Sequence, residues 1–365
     1  RNGCAWPRKR LAMKRITALG CVISTLALSL PAAAAEEAPT TVSISFSGDV
    51  LAHNSLYWAA ETASGYDFTK MFAPLKPTLS ADINVCHLET PLTTNPPESY
   101  PVFSTPVELA TALKMVGFDG CSIASNHSLD QGTTGVVSTL NTMRAAGLHT
   151  AGARKASGGT SIGWYTSTNG LRFAQIAFSY GFNGRRLPAD KWWMVNLIKE
   201  KDIMAAAARA KSQGADVVVA TLHWGTEYST RSNSMQRQLA AALTASPNID
   251  AVVGHHAHVL QEAVMMNGKP VVYGMGNLWS GQGPWKDQQY GQQGVVVTLT
   301  FAVENGVTRY VSGSYVPTLT IPGTWQVMDA RKVTNSRQWG QACQAISNAA
   351  MQLKVLTGPK TCPKH

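Results

Sequence analysis

Residues 249–258 read Ile-Asp-Ala-Val-Val-Gly-His-His-Ala-His, an apolar, β-branched run that leads into three closely spaced histidines. Short apolar runs that end at a glycine are typical of buried strands in α/β sheets. The same order occurs earlier in the chain, where Val217–Leu222 leads into His223-Trp-Gly. Because such sheets form their binding sites beyond the carboxyl ends of the strands, both stretches predict an α/β fold with a histidine-rich site at one sheet edge.

Strand-like and helix-like segments alternate through most of the chain. Strands are predicted at Thr41–Ser47, Ile83–Cys86, Gly120–Ala124, Leu171–Ser179, Val217–Leu222, Ile249–Val253 and Pro270–Tyr273. Helices are predicted between them, at Pro106–Val116, Gly132–Ala146, Asp202–Gln213 and Ser234–Ala245. Alternation of this kind indicates an α/β fold built on β-α units.

The pattern changes to a β-hairpin in the last third of the chain. Two strand-like segments, Val295–Val303 and Val307–Thr318, are joined by residues 304–306, Glu-Asn-Gly, and Asn-Gly between such runs is a strong hairpin signal. The sequence contains no internal repeat and no long low-complexity linker. We therefore predict one catalytic domain over residues 36–320 and a helical C-terminal tail over residues 321–365.

Four cysteines follow residue 35, and their number and spacing exclude a zinc–thiolate site. Cys343 and Cys362 flank the polar tail and are expected to close it with a disulfide. Cys86 and Cys121 lie in two buried strand candidates, and the sequence leaves open whether they are paired or free. Disulfides persist in exported proteins, so this cysteine usage is compatible with export.

The first 35 residues have the pattern of a secretory signal peptide with an upstream extension. A basic pair at 14–15 precedes the apolar run Ile16–Leu30, which is followed by the small-residue stretch Ala32–Ala35. Cleavage is expected at the end of that stretch. The alternative is an uncleaved membrane anchor, for which the apolar run is somewhat short. The protein is thus expected outside the cytoplasm: secreted, periplasmic or at the cell surface.

The distribution of charge excludes a nucleic-acid binder. The formal net charge is +10, from 31 Lys and Arg against 21 Asp and Glu. Six of the basic residues and none of the acidic ones fall within residues 1–35, so the remainder carries 25 basic and 21 acidic side chains, or +4. A net charge of +4 is too small to indicate nucleic-acid binding, and it is compatible with an anionic substrate.

Six of the predicted strands end at residues that can bind metal. The side chains that follow them include Asp49, Glu89, Asn126, His127, His223, His255, His256, His258 and Asn277. Carboxylate, imidazole and amide oxygen together suit divalent transition metals such as manganese, zinc or iron. A mixed set of this size predicts two divalent metal ions, bridged by a carboxylate and about 3.5–4 Å apart. Because such a pair lowers the pKa of bound water toward about 7, the expected reaction is hydrolysis, most naturally at phosphorus.

Six ordered motifs between residues 41 and 280 resemble one known family. They are Gly48-Asp49, Asn84-Val-Cys-His-Leu-Glu-Thr-Pro-Leu92, Gly117-Phe-Asp-Gly-Cys-Ser-Ile-Ala-Ser-Asn-His-Ser-Leu-Asp130, His223-Trp-Gly-Thr-Glu-Tyr228, Gly254-His-His-Ala-His-Val259 and Tyr273-Gly-Met-Gly-Asn277. These motifs resemble the CapA family, which takes its name from poly-γ-glutamate capsule biosynthesis. The resemblance implies a fold similar to the calcineurin-like metallophosphoesterases, a four-layer α/β/β/α sandwich. Six motifs in one order are far more specific than any single motif.

The resemblance also implies a role for each residue. The implied metal ligands are Asp49, Glu89, Asn126, His223, His256 and His258, with Glu89 as the bridge. His127 would be the general acid or the stabiliser of the leaving group, and Asp130 would orient it through a hydrogen bond. His255 would contact the substrate, while Glu227 and Asn277 would contact the substrate or support the ligands.

Three positions depart from the family pattern. The usual opening motif Asp-x-His is absent, and the nearest histidine, His53, lies four residues after Asp49. One metal site is therefore expected to be weaker or differently built. His87 stands where the family usually has Asn, and Ser125 replaces the first residue of a double-Asn motif. Neither change removes an implied ligand, and His87 is expected to be structural.

The sequence leads to one principal hypothesis and two alternatives. The principal one is an exported metal-dependent hydrolase that acts on a cell-envelope or capsule polymer or a phosphoester, linked to poly-γ-glutamate or capsule biosynthesis. One alternative is a non-catalytic factor that binds an anionic polymer for export, within a capsule-synthesis membrane complex. The other is a metal-dependent amide hydrolase of poly-γ-glutamate. The Asn126-His127 pair favours a hydrolase, because a binding protein has no need of it.

Overall fold

A computed structural model describes residues 39–283 and 290–362, together with residues 3, 5–7, 9 and 12. The predicted signal peptide, apart from these isolated positions, lies outside the described residues. Among the described residues, none of the helices combines the length and the apolarity needed to cross a membrane.

The strands of the described chain fall into two large sheets and two short pairs. In chain order they are β1 (Thr40–Leu51), β2 (Glu61–Thr62), β3 (Gly65–Tyr66), β4 (Ile83–Leu88), β5 (Leu92–Thr93), β6 (Thr105–Pro106), β7 (Gly120–Ser122), β8 (His149–Ala151), β9 (Ile162–Thr166), β10 (Arg172–Ser179), β11 (Val217–His223), β12 (Ala251–His255), β13 (Ala263–Met266), β14 (Lys269–Val272), β15 (Asn277–Ser280), β16 (Gln293–Glu304), β17 (Val307–Thr320) and β18 (Val327–Asp329). The short pairs are β2 with β3 and β5 with β6.

The helices mostly connect these strands. They are α1 (Asn54–Ala60), α2 (Thr69–Phe72), α3 (Leu109–Val116), α4 (Gly132–Ala145), α5 (Glu200–Ser212), α6 (Ser234–Ala245) and α7 (Ser336–Gln352), with short 3₁₀ helices at Ala73–Thr78, Ala189–Lys191 and Ala330–Lys332. Helix α6 begins with a reciprocal capping box between Asn233 and Gln236, which satisfies backbone donors at its start. Helix α5 carries acidic residues in its first turn and basic ones in its last, as the helix dipole favours.

The first sheet has the order β18-β17-β16-β1-β4-β7-β8. Strands β1, β4, β7 and β8 run parallel, whereas β16 to β18 are antiparallel additions beside β1. The end of β1 changes partner, because β15 pairs with it in parallel and sets Asp49 opposite Asn277. The second sheet has the order β13-β14-β12-β11-β10-β9, with parallel pairing from β10 to β14 and an antiparallel strand at each edge.

The two sheets pack face to face, with helices on both outer faces. Alternate residues of β1, including Ile44 and Phe46, meet alternate residues of the second sheet, including Val217 and Val219, in one buried cluster. The intervening residues of β11, such as Val218, point the other way and pack under α5 and α6. Helices α3 and α4 cover the outer face of the first sheet. The predicted four-layer α/β/β/α sandwich is confirmed by this arrangement.

The hairpin and the tail pack on one another. The predicted hairpin is formed by β16 and β17. Side chains of α7, including Ala349, join the cluster between the sheets, and Ile346 packs with Leu319 of β17. The described residues from Pro39 onward belong to one compact unit, and a domain boundary at residue 320 stays a prediction.

Two disulfides are present, Cys86–Cys121 and Cys343–Cys362. The first links the paired strands β4 and β7, which settles the alternative left open by the sequence. The second closes the C-terminal tail as predicted.

Candidate metal centre

Polar residues from both sheets converge where the parallel strands end. In the first sheet, β1 and β4 set Asp49 beside His87, and Glu89 follows β4 directly. In the second sheet, β11 and β12 end at His223 and His255, which are paired in register. The edge predicted from the strand ends is therefore formed jointly by the two sheets.

Asp49 is buried and fixed by the histidines of the 254–258 loop. Its Oδ1 lies 2.7 Å from His255 Nδ1, and its Oδ2 accepts a hydrogen bond of 3.1 Å from the His256 backbone N–H. Oδ2 also lies 3.4 Å from His258 Nδ1. Burial alone raises the pKa of Asp49, but the hydrogen bonds to His255 and His258 outweigh it and hold the pKa well below its ordinary value. Asp49 is thus an anion at neutral pH.

Glu89 is the most informative residue of the site. It is 1% exposed, and both of its carboxylate oxygens lie in the interior without a hydrogen-bond partner among the described residues. His223 Nε2 and His258 Nε2 each lie 3.8 Å from Oε1, which is too long for a hydrogen bond. Burial raises the pKa of Glu89 well above its ordinary value. Buried polar groups almost always have a hydrogen-bond or ionic partner, so the environment of this carboxylate is suited to a bound cation.

His223 is held through one ring nitrogen, and the other faces the site. Its Nδ1 lies 2.9 Å from His87 Nε2, and its Nε2 lies 2.8 Å from the Asn126 amide oxygen. His87 in turn reaches Ser122 Oγ at 2.8 Å through Nδ1 and stacks on His255 with ring centroids 4.1 Å apart. Burial lowers the pKa of both His87 and His223 well below the usual range, so both rings are neutral.

The 254–258 loop places two histidines by an uncommon backbone conformation. His256 and His258 have φ angles of 87° and 57°, in the left-handed region that non-glycine residues rarely adopt. His258 Nδ1 is 3.0 Å from the Asn277 amide oxygen, while Asn277 Nδ2 donates to Gln282 and to the Gly291 carbonyl. His256 Nδ1 is buried without a partner, and burial lowers the pKa of His256 to about 3. Strained backbone of this kind is typical of functional sites.

His127 and Asp130 form a pair beside the site. His127 Nδ1 lies 2.7 Å from Asp130 Oδ2, which also accepts a hydrogen bond from the Phe103 backbone N–H. The Phe103 ring packs edge-on against the His127 ring, with centroids 4.7 Å apart. The carboxylate therefore fixes the orientation of the imidazole and leaves its Nε2 free, which is the predicted relation between the two residues.

The remaining predicted residues lie around this core. Glu227 is exposed and close enough to Glu89 to raise the pKa of that carboxyl. Asn277 contacts His258, which fits its support of a ligand, and its contact with a substrate stays a prediction. His255 is buried against Asp49, and its assignment to substrate binding likewise stays a prediction. His53 contacts the Leu51 carbonyl and the Gly281 backbone N–H rather than Asp49.

Two features of the site were not predicted from the sequence. His87 was expected to be structural, yet it lies at the centre of the cluster between His223 and His255. The loop after β10 also reaches the site: Asn183 Oδ1 accepts a hydrogen bond from Asn126 Nδ2, and the Tyr180 ring lies 4.6 Å from that of His256. The rule applied to the other strand ends would have identified this loop, because it follows a predicted strand.

The donor atoms fit the binding of divalent metal. Three sets of side chains bring their donor atoms within 4.8 Å of one another: Asp49, His87 and His255; His87, Glu89 and His223; Glu89, His256 and His258. Metal–ligand bonds of about 2.0–2.2 Å place two ligand atoms of one ion roughly 3–4 Å apart. His223 Nε2 and His258 Nε2 lie 3.8 Å from Glu89 Oε1, which is within that range. Glu89 and His87 each belong to two of the sets, and the role of Glu89 as a bridge stays a prediction. Nitrogen and oxygen donors of this mixture suit manganese, zinc or iron.

The sequence matches one family model, described as bacterial capsule synthesis protein PGA_cap, over residues 43–282. The chain belongs to the PGA_cap family. PGA biosynthesis protein CapA of Bacillus subtilis (strain 168) is 32% identical over 182 residues, which cover 48% of this chain and 46% of that protein. Capsule biosynthesis protein CapA of Bacillus anthracis is 31% identical over 180 residues, which cover 48% and 43%. The alignments thus span about half the length of these curated relatives, and the resemblance to CapA is confirmed.

Solved structures similar to this PGA_cap family member include two phosphatase-type proteins. The calcineurin-like phosphoesterase YfkN from Bacillus subtilis aligns with a TM-score of 0.47 and 15% identity, over 86% of this chain and 97% of that chain. A phosphatase from Mycoplasma pneumoniae aligns with a TM-score of 0.47 and 12% identity, over 77% and 95%.

Proposed function

We propose that this protein is an exported, metal-dependent hydrolase that acts on a capsule or cell-envelope polymer or on a phosphoester. The observation that carries the proposal is Glu89, a buried carboxylate without a hydrogen-bond partner, faced by imidazole nitrogens at 3.8 Å. A purely structural carboxylate in such a place would cost several kcal/mol, and a bound cation removes that cost.

We assign the metal ligands to the buried donor set. Asp49, Glu89, Asn126, His223, His256 and His258 would hold two divalent ions. When bound, such ions would supply an activated water near neutral pH and neutralise developing negative charge.

His127 supplies the proton that the leaving group needs. The Asp130 carboxylate accepts from Nδ1–H of His127, so Nε2 of the same ring is the nitrogen that can carry and release a second proton. Asp130 is buried, so its carboxylate holds the ring in one orientation. Proton donation from Nε2 to the leaving oxygen or nitrogen is therefore the role we propose for His127.

Two further observations support export and a polymer substrate. Disulfides at Cys86–Cys121 and Cys343–Cys362 are typical of proteins outside the cytoplasm. The relatives named for PGA or capsule biosynthesis support a capsule polymer as substrate. We propose a capsule-synthesis membrane complex as the partner.

The test is metal content together with turnover. The purified protein is analysed by inductively coupled plasma mass spectrometry and assayed with bis(p-nitrophenyl) phosphate and with γ-glutamyl amides, before and after chelation. About two bound metals and chelator-sensitive turnover are expected. Turnover of the amides alone would identify an amide hydrolase. Absence of metal after reconstitution with manganese, zinc or iron would contradict the proposal and favour a polymer-binding factor.

A further inference from the structure

A cavity of about 460 Å³ lies between the loop that follows β10 and helix α5. Its lining is aromatic and basic, with Trp192 and Trp193 on one side and several arginines around them. Trp192 is 72% exposed, which is unusual for a side chain of that size. We call this cavity the loop cleft.

The loop cleft is strongly positive. Its cationic lining residues are Arg154, Arg185, Arg186, Lys199 and Arg209, and its acidic one is Asp202. In the part of the chain that the structure describes, no carboxylate lies within 4.0 Å of a charged nitrogen of Arg154, Arg186, Lys199 or Arg209. Charges gathered in a concave site without counter-charges attract an anion.

Arg154 lies at the aromatic side of the loop cleft. Its Nε is buried and makes no hydrogen bond to the residues that the structure describes. Its guanidinium lies over the Trp193 ring, 5.9 Å from the centroid, which holds it in place beside the cleft. Burial and the nearby Arg209 lower the pKa of Arg154. An unsatisfied guanidinium donor is suited to carboxylate or phosphate oxygens, which it binds in a planar, two-point contact.

The same loop joins the cleft to the candidate metal centre. At one end, Asn183 contacts Asn126, and Arg185 lies 4.0 Å from Asp130. Further along, the backbone is pinned by hydrogen bonds from Asn196 N–H to the Gly152 carbonyl and from Arg154 N–H to the Met194 carbonyl. Arg185 thus lines the loop cleft and also approaches the His127–Asp130 pair, which connects the two sites.

We propose that the loop cleft binds an oxyanion-bearing segment of the substrate, carboxylate or phosphate, while the adjoining segment lies at the metal centre. Trp192 offers an exposed apolar face to the carbon chain between successive anionic groups. The binding of an anion rests on the cleft alone, and only its continuity with a substrate rests on the proposed function.

The test compares two anions and matched charge variants by isothermal titration calorimetry on the full chain. The probes are a γ-linked glutamate oligomer and inorganic phosphate, with the methyl-esterified oligomer as an uncharged control. Arg154→Gln and Arg186→Gln are each expected to raise the Kd of at least one anionic probe about tenfold or more, as loss of a charge-assisted contact does. Arg337→Gln removes one exposed charge on α7 and is expected to leave Kd within about twofold.

The outcomes separate the two proposals. Variant-sensitive binding of the oligomer identifies carboxylate recognition, and variant-sensitive binding of phosphate identifies phosphate recognition. If neither probe binds, or neither variant changes Kd while circular dichroism shows both folded, the cleft proposal is overturned. Metal content is measured in every sample, so that anion binding in a metal-free protein would contradict the hydrolase while supporting the cleft.

Discussion

His87 hydrogen-bonds through both ring nitrogens, to Ser122 and to His223. Metal-binding histidines depend on a partner at the second nitrogen, and loss of that partner typically lowers metal affinity about 10–100-fold. We expect His87→Leu to reduce metal affinity by that factor, measured by competition with a fluorescent chelator. His87→Asn, which restores the residue that the family usually has there, is the control and should lose less. Equal affinity in His87→Leu and the unmodified protein would show that His87 only fills space.

The His127→Ala variant tests catalysis separately from metal binding. His127→Ala should retain the full metal content, because no ligand role is assigned to it, but lose about 10²–10⁴-fold in kcat toward the phosphodiester. Asp130→Asn should lower kcat as well, since the amide no longer holds the imidazole in the tautomer and orientation that the Nδ1–H hydrogen bond fixes. Full turnover in His127→Ala, with metal content confirmed by mass spectrometry, would rule out the proposed proton donor.

Strand β12 is positioned by a glycine at its end. A Cβ on Gly254 would overlap the Tyr273 carbonyl oxygen and the Trp224 Nε1 that donates to it. Gly254→Ala should therefore lower the free energy of unfolding by about 1–3 kcal/mol and displace the histidines that follow. Gly158→Ala is the control, because nothing lies within 4 Å of its added Cβ and the site is exposed. Equal urea midpoints for both variants would show that β12 can move to accept the methyl group.

The strands and helices that follow apolar periodicity were predicted well, and the irregular segments were not. Helix α6 was predicted at its exact bounds, because its apolar spacing and its Asn233 cap agree. Strand β1 runs four residues beyond the predicted Ser47, through Gly48 and Asp49, because β15 pairs with it there. That pairing joins segments more than 200 residues apart, which local periodicity cannot reveal. The loop after β10 was missed for a different reason: it follows a predicted strand, but residues 180–189 contain no histidine, aspartate or glutamate to mark it as part of the site.

The two-sheet arrangement explains why residues of the candidate site could be predicted but their partners could not. Strand ends bring polar side chains to one sheet edge by a general rule, so Glu89 and His223 could be named as candidates from the motifs taken together. The pairing of His87 with His223 depends on how the first sheet packs against the second, and this packing spans 136 residues of sequence. The family resemblance predicted the four-layer sandwich. It predicted no site role for His87, because His87 departs from the family pattern at that position.

Metal binding should stabilise the whole molecule, because the two sheets meet at the buried carboxylate of Glu89. Saturation at about 100-fold above Kd corresponds to roughly 2.7 kcal/mol, which in a chain of this size is on the order of 5 °C in Tm. We expect manganese, zinc or iron to raise Tm by that amount in differential scanning fluorimetry and chelation to reverse it. Glu89→Gln has nearly the same shape but lacks the charge, so it should fold and lose the metal-dependent rise. His127→Ala should keep the rise, since it removes no ligand. A rise in Glu89→Gln equal to that of the unmodified protein would place the stabilising metal elsewhere in the molecule.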